Sequence, residues 1–455
     1  MHLSRLKIGA AALVLIGSVA LPATTGKAGT PAAAPGSYTT STVLIGPAQA
    51  IGALYQPVKP GANQSIGLFL THENNDFIGS VPCVQLAQRG FTVLCVKSQY
   101  ADQAAANWDD LAKDVGGSVT YLRSLPTVKK VVLVGWSGGG AIMSYYENVA
   151  QNGLVACQDP ARLDPCGDDL AGLPAADGVA LLDAIPGIAF SDLTALDASV
   201  TNENNLRVRN EANDMFSAAN GYQPNGDSAY SPAFINRYLS AQGKREAKLV
   251  TQAQALRKQI ARGNGQYTDD APMPVGRDSA RIWEADTALI AHTKGAYPLI
   301  SPQHPDGSAP QVVDSVRVPS ADQAGNNAWD RSKGDFSANS FLSIAAVRAP
   351  ALKVTADSIS GIDWASTNTA TVANVRGIRS PLLIMSMTGH YWLVPSEMYF
   401  QNAVGTTNKK LVFVEGASHG FTPCTACATT PGEFGDTVGE TFNYLGSWLD
   451  TNFAG

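Results

Sequence analysis

Residues 131–134 read Val-Val-Leu-Val, an apolar run with no polar break. A strand with one wet face alternates, whereas an unbroken run marks a strand buried on both faces. Residues 179–182, 382–385 and 411–414 repeat the pattern, and residues 51–55, 66–70 and 91–96 are also strand-like. Between them lie helical segments. Residues 82–88 are closed by Arg89-Gly90, and residues 108–125 carry Leu111, Val115, Val119 and Leu122 at helical spacing before Pro126. Residues 141–150, 396–404 and 435–449 complete the set. Strands alternating with helices imply a parallel sheet with helices on both faces. The alternation is broken once. Residues 191–378 are rich in Asn, Asp, Ser, Gly and Pro and hold one long amphipathic helix, about 231–262. The expected organisation is a leader over 1–34, a first core part over 35–190, an insertion over 191–378 and a second core part over 379–455.

The 455 residues suit one large enzyme domain with an insertion, or two domains. Abundant but aperiodic glycine and proline exclude collagen. Net charge is −6, and three of the basic residues (Arg5, Lys7, Lys27) precede residue 35. An acidic chain without a basic run argues against nucleic acid or an anionic membrane as the main partner. The leader has a basic start, an apolar stretch over 8–23, and small residues with cleavage expected after Ala23, Ala28 or Ala34. This reads as a secretory signal, giving a secreted or periplasmic protein. The stretch is short for a membrane anchor and is interrupted by Gly17 and Pro22. No cysteine near the cleavage region suits a lipid anchor. Export permits disulfides among the six cysteines. Cys157 with Cys166 and Cys424 with Cys427 are the favoured pairs; Cys83 and Cys95 are either bonded or buried thiols. A redox or zinc role for the C-x-x-C lacks its usual context.

The sharpest motif is Gly135-Trp136-Ser137-Gly138-Gly139, placed between the apolar strand and a helix. A sharp strand-to-helix turn needs glycines flanking the central residue. It lifts the serine hydroxyl to a helix N-terminus, where free N–H groups favour negative charge. Ser137 is therefore the candidate nucleophile. His419, in Glu415-Gly416-Ala417-Ser418-His419-Gly420, follows the last apolar run in a flexible loop and is the candidate base.

With these residues in place, the chain resembles the α/β-hydrolase superfamily over roughly residues 45–190 and 375–452. The resemblance implies an eight-stranded, mostly parallel sheet, a lid or cap at the insertion, and a Ser–acid–His triad in that chain order. It implies an oxyanion hole of two backbone N–H groups: one from Gly138, the other from the loop 71–77, where Asn74 is the choice by position and Glu73 the next. His72 in that loop reads more simply as a loop-ordering residue. The position matching the usual acid is His390, which cannot orient a base as a carboxylate does. Asp183, ending the run 179–182, is the preferred acid, and Glu397 is the alternative.

The insertion helix carries Arg237, Lys244, Arg245, Lys248, Arg257, Lys258 and Arg262, which either guide an anionic substrate or form a solvated face. Tyr230, Phe234, Tyr238 and Trp283 are pocket or core aromatics. The expected function is an exported serine hydrolase acting on a small-molecule or polymeric carboxylic ester, without cofactor or metal. A peptidase or amidase with the same triad is the alternative, as is a binding protein on the same fold.

Overall fold

The computed structural model describes residues 36–46, 49–98, 107–277, 280–320 and 333–454. The expected leader, 1–34, lies outside the described residues.

The central sheet is built from β1 (Tyr38–Ile45), β2 (Ala50–Pro57), β3 (Ile66–Leu70), β4 (Thr92–Val96), β5 (Lys130–Trp136), β6 (Gly178–Leu182), β7 (Leu299–Ile300), β8 (Leu382–Met387) and β9 (Lys409–Val414). Its order is β1-β2-β4-β3-β5-β6-β8-β9-β7. The first two pairings, β1 with β2 and β2 with β4, are antiparallel. The remaining six are parallel. This is the α/β-hydrolase fold, with one correction: the sheet has nine strands rather than eight. The ninth, β7, is a two-residue strand from within the insertion that extends the edge beside β9.

The apolar runs explain the layering. In β5, Val131 and Leu133 face one core cluster while Val132 and Val134 face the other. β6, β8 and β9 divide the same way, for example Leu411 and Phe413 against Val412 and Val414. Each strand thus serves two hydrophobic cores, which a period-2 backbone allows only if both faces are covered. Helices α1 (Val81–Gln88) and α7 (Thr437–Phe453) bury Leu86, Phe442, Leu445 and Leu449 on one face. Helices α2 (Trp108–Ser124), α3 (Gly138–Asn152) and α6 (Leu393–Asn402) cover the other. That second core also takes in α4 (Ile188–Ala195) and α5 (Pro232–Ala261), through Phe190, Tyr238 and Leu249.

The residues of 191–378 share this core rather than forming a compact unit of their own. Tyr230, Phe234, Tyr238 and Trp283 are all core residues; Trp283 stacks on Phe190 at 5.6 Å. The basic set on α5 is divided. Lys244, Lys248 and Arg262 are exposed. Arg245 is buried, holding Glu203 at 2.6 Å and the carbonyls of Asp197 and Gly276. Among the described residues no helix is long and apolar enough to cross a membrane.

All six cysteines are paired: Cys83–Cys95, Cys157–Cys166 and Cys424–Cys427. The first, left open by the sequence, ties α1 to β4. The second closes the loop after α3, where the Cys166 N–H also donates to the Cys157 carbonyl at 3.1 Å. Replacing Cys157 and Cys166 by serine is expected to cost roughly 2–3 kcal/mol, from the loop entropy returned to the unfolded chain. Urea denaturation of the two proteins measures it, and unchanged midpoints would refute the contribution.

Candidate active site

Three strand ends converge at the C-terminal edge of the sheet. Ser137 follows β5 and caps α3 with φ +57° and ψ −127°. A non-glycine residue held there stores on the order of 1–3 kcal/mol of strain. Two backbone bonds hold the turn: Ser137 N–H donates to the Leu182 carbonyl (3.2 Å), and Ile185 N–H donates to the Ser137 carbonyl (3.1 Å). The turn is tight enough that a Cβ on Gly135 would sit 2.6 Å from the Gly140 Cα. Asp183 follows β6, also at positive φ (+43°), and its side chain is fully buried. His419 follows β9.

The three side chains form one hydrogen-bonded chain. His419 Nε2 lies 3.0 Å from Ser137 Oγ, and His419 Nδ1 lies 2.6 Å from Asp183 Oδ2. The other carboxylate oxygen, Oδ1, accepts from Ser386 Oγ (3.1 Å) and the Met387 N–H (3.2 Å) at the end of β8. An Nδ1–H held by the carboxylate leaves the Nε2 lone pair facing the serine hydroxyl. The His419 loop is anchored by Trp136, whose indole N–H donates to the His419 carbonyl at 3.0 Å and whose ring lies 5.0 Å from Phe421.

His390 sits on this chain too. Its ring stacks on His419 at 4.3 Å, and its Nδ1 is 2.7 Å from the same Asp183 Oδ2. That contact is off the line of a hydrogen bond, and Nδ1 has no hydrogen-bond partner among the described residues. We treat it as electrostatic. Burial would raise the Asp183 carboxyl, but the nearby His390 and the hydrogen bond from His419 outweigh it and hold the group below its usual range. Burial, opposed by Asp183, holds His390 below the usual imidazole range. The ligand atoms of Asp183, His390 and His419 lie within 4.8 Å of one another, a spacing compatible with a metal ion. Here, however, His419 Nε2 is engaged by Ser137, and both Nδ1 atoms crowd one carboxylate oxygen.

Other sequence candidates fall differently. Glu397 is buried on α6 and taken up by the strand His292–Tyr297: it accepts the N–H groups of Lys294 (2.9 Å) and Gly295 (2.8 Å) and the Tyr297 hydroxyl (3.0 Å). It is not brought to His419. Gly138 opens α3 beside Ser137; the Glu73 carboxylate packs over it, in space that any side chain at 138 would fill. The Asn74 N–H is directed to His72 Nδ1 at 3.3 Å, so it is already engaged, and His72 orders its own loop.

A cavity of about 400 Å³ opens beside Ser137 and His419. Its walls include residues the sequence did not single out: Ser191 and Asp192 on α4, and Arg277 and Arg281. Ile188, Ser191 and Asp192 are spaced i, i+3, i+4, one face of a helix, which is the signal that could have found them. Asp192 pairs with Arg277, and Arg281 with Glu284.

No protein-family model and no curated protein matches the chain. Solved structures similar to it include brefeldin A esterase, a bacterial homologue of human hormone-sensitive lipase (12% identity, TM-score 0.40, 96% of this chain and 80% of that one). Siderophore hydrolase EstB from Aspergillus fumigatus gives 12% identity and TM-score 0.41 over 92% and 99% of the two chains. Carboxyl esterase 2 from the mycorrhizal fungus Tuber melanosporum gives 10% and 0.39 over 94% and 89%.

The buried groups set a pH dependence of stability. Asp183 has its folded pKa depressed, so its contribution is present above the unfolded value near 4 and is lost as pH falls. His390, also depressed, acts in the same direction: the unfolded chain takes up its proton near pH 6.5 while the folded site resists it. The His390 contribution should fall on acidification below pH 6.5, by at most about 1.4 kcal/mol per pH unit, whereas Glu147, Glu246 and Glu440, raised by burial to about 7, 8 and 7, act in the opposite direction. Urea midpoints between pH 7.5 and 5 for the parent and His390→Gln separate the two. The variant should lose the histidine's part of the slope, and an unchanged slope would reject the assignment.

Proposed function

We propose that the protein is an exported serine hydrolase that cleaves carboxylic esters. The observation that carries the reading is the continuous hydrogen-bonded chain Ser137–His419–Asp183 at adjoining strand ends, open to a cavity. His419 Nε2 takes the Ser137 proton as Oγ bonds to the acyl carbon. The carbonyl electron pair moves onto oxygen, giving a tetrahedral oxyanion. Its collapse breaks the ester C–O bond, and the leaving alcohol takes the proton back from His419. Water repeats the sequence on the acyl-enzyme and releases the acid. Asp183 holds the imidazole in the reactive tautomer and stabilises its cationic form. Ser386 and Met387 fix the carboxylate so that Oδ2 stays toward His419.

The oxyanion would rest on the Gly138 N–H at the start of α3, with a second donor from the loop holding Asn74. In the free enzyme Asn74 N–H points at His72, and the Glu73 carboxylate lies over Gly138. The loop therefore has to turn as charge develops. Residues 191–378 would serve as the cap that walls the cavity. Three disulfides support export, since such bonds persist in oxidising compartments.

Three variants test the roles. Ser137→Ala should lower turnover of 4-nitrophenyl acetate by roughly 10⁶ and abolish fluorophosphonate labelling. Asp183→Asn should cost roughly 10⁴. Glu397→Gln, once corrected for any loss of stability, should stay within about tenfold of the parent. Near-normal turnover by the Ser137 variant would overturn the nucleophile, and a crippled Glu397 variant beside an active Asp183 variant would overturn the acid.

Glu73→Gln removes a negative charge from the place where the oxyanion forms. Its turnover at pH 7 should rise by up to about tenfold, an effect of about 1.4 kcal/mol on the barrier. A fall in turnover would show that the carboxylate assists the reaction instead.

A further inference from the structure

The imidazole that faces the serine is bonded at its edge, on a loop with little rigidity of its own. Gly416 (φ +63°) and Gly420 flank His419, and 32% of its side chain is exposed. Its two hydrogen bonds, with Ser137 Oγ and Asp183 Oδ2, are both made at ring nitrogens. Such bonds lie in the plane of the ring, so they resist sliding within that plane more than tilting out of it. A tilt swings Nε2 away from Ser137 Oγ. Misplacing a reacting group by about 1 Å costs on the order of 10²-fold in rate.

His390 covers a face of that ring. The two imidazoles are stacked at 4.3 Å and 29°, and His390 Nδ1 stands 2.7 Å from the same Asp183 Oδ2. His390 is itself fixed. Its N–H donates to the Met387 carbonyl at 3.1 Å, and its carbonyl accepts from Ser315 Oγ at 3.0 Å. The neighbouring Gly389 N–H donates to the Ala417 carbonyl at 2.9 Å, tying this loop to the one that carries His419. The Tyr391 ring packs on His390 at 3.9 Å, and the Tyr391 hydroxyl donates to Glu284 at 2.7 Å. The proton path Ser137–His419–Asp183 does not pass through His390, so its ring is free for another part.

We propose that His390 is a positioning residue: its ring, stacked on His419 and fixed by its own backbone bonds and by Tyr391, holds the imidazole in the plane from which Nε2 reaches Ser137. This rests on the ester-hydrolase reading. The ring carries the effect rather than Nδ1, because the Nδ1 contact with Asp183 is off the line of a hydrogen bond. A tilted base slows the step in which the proton moves, so kcat falls and KM holds.

Two replacements separate ring from nitrogen. His390→Phe keeps a flat ring and loses both nitrogens. His390→Asn keeps a polar N–H and loses the ring, and His390→Gln is a second ringless variant. With 4-nitrophenyl acetate, kcat should fall by roughly 10²-fold in the ringless variants and by less than about fivefold in the Phe variant, with KM within about threefold throughout. The rate of fluorophosphonate labelling of Ser137 should follow kcat, since it uses the same base. The low-field proton resonance of the His419–Asp183 hydrogen bond should persist in the Phe variant and broaden in the ringless ones. Urea midpoints establish that each variant is folded under the assay conditions. Parent-like kcat in the ringless variants, or a loss as large in the Phe variant, would overturn the role assigned to the ring. A rise in KM at constant kcat would overturn it too and make His390 a substrate contact. A parent protein that neither labels nor hydrolyses an ester would overturn the hydrolase reading instead, and the low-field resonance would still report whether His390 holds the ring.

Discussion

A carboxylate without solvent, Asp183 at the end of β6, is the constraint around which the site is assembled. An isolated buried charge is prohibitively costly, so it needs donors on every side. Two come from β8, as the Ser386 hydroxyl and the Met387 N–H, and His419 Nδ1 brings the third. β8 begins some 200 residues later in the chain. Only the parallel register that sets Leu182 opposite Met385 brings those donors within reach. The strained serine turn depends on the same place, because its N–H is held by the Leu182 carbonyl and its own carbonyl holds the Ile185 N–H. The two positive-φ residues therefore brace each other. Either turn alone would cost strain with nothing holding it.

The sequence was most legible where burial is two-sided. The runs in β5, β6, β8 and β9 are short and bounded by turn residues, which separates a strand covered on both faces from a buried helix such as α3, where every residue from Gly138 to Val149 is buried. β1, in contrast, reads Tyr-Thr-Thr-Ser-Thr-Val-Leu-Ile and was not singled out. It is an edge strand, largely exposed, and its pairing with β2 gives no apolar signature. β7 is two residues long, so its pairing is decided by the free edge of β9 and not by its own composition. Asp183 was legible as a carboxylate ending a buried strand in the right chain order. Glu397 stood as the alternative because nothing in the sequence shows that the strand His292–Tyr297 turns its N–H groups toward it. The place of His390 against Asp183 was hidden for a similar reason: the chain tells which loop it occupies, but not that one carboxylate oxygen faces two rings.

The cavity wall joins residues far apart in the chain. Ser191 and Asp192 lie on α4, while Arg277 comes 85 residues after Asp192, with Arg281 close behind it. They meet through Arg277–Asp192, a pair whose carboxylate is almost wholly buried, and through the contact of Arg281 Nη2 with the Ser191 carbonyl at 3.4 Å. Separating a buried pair leaves an uncompensated charge and costs on the order of 3–5 kcal/mol. On this side the cavity beside Ser137 is therefore held by packing and charge together, and residues far apart in the chain keep their places along it only while that pair stays closed.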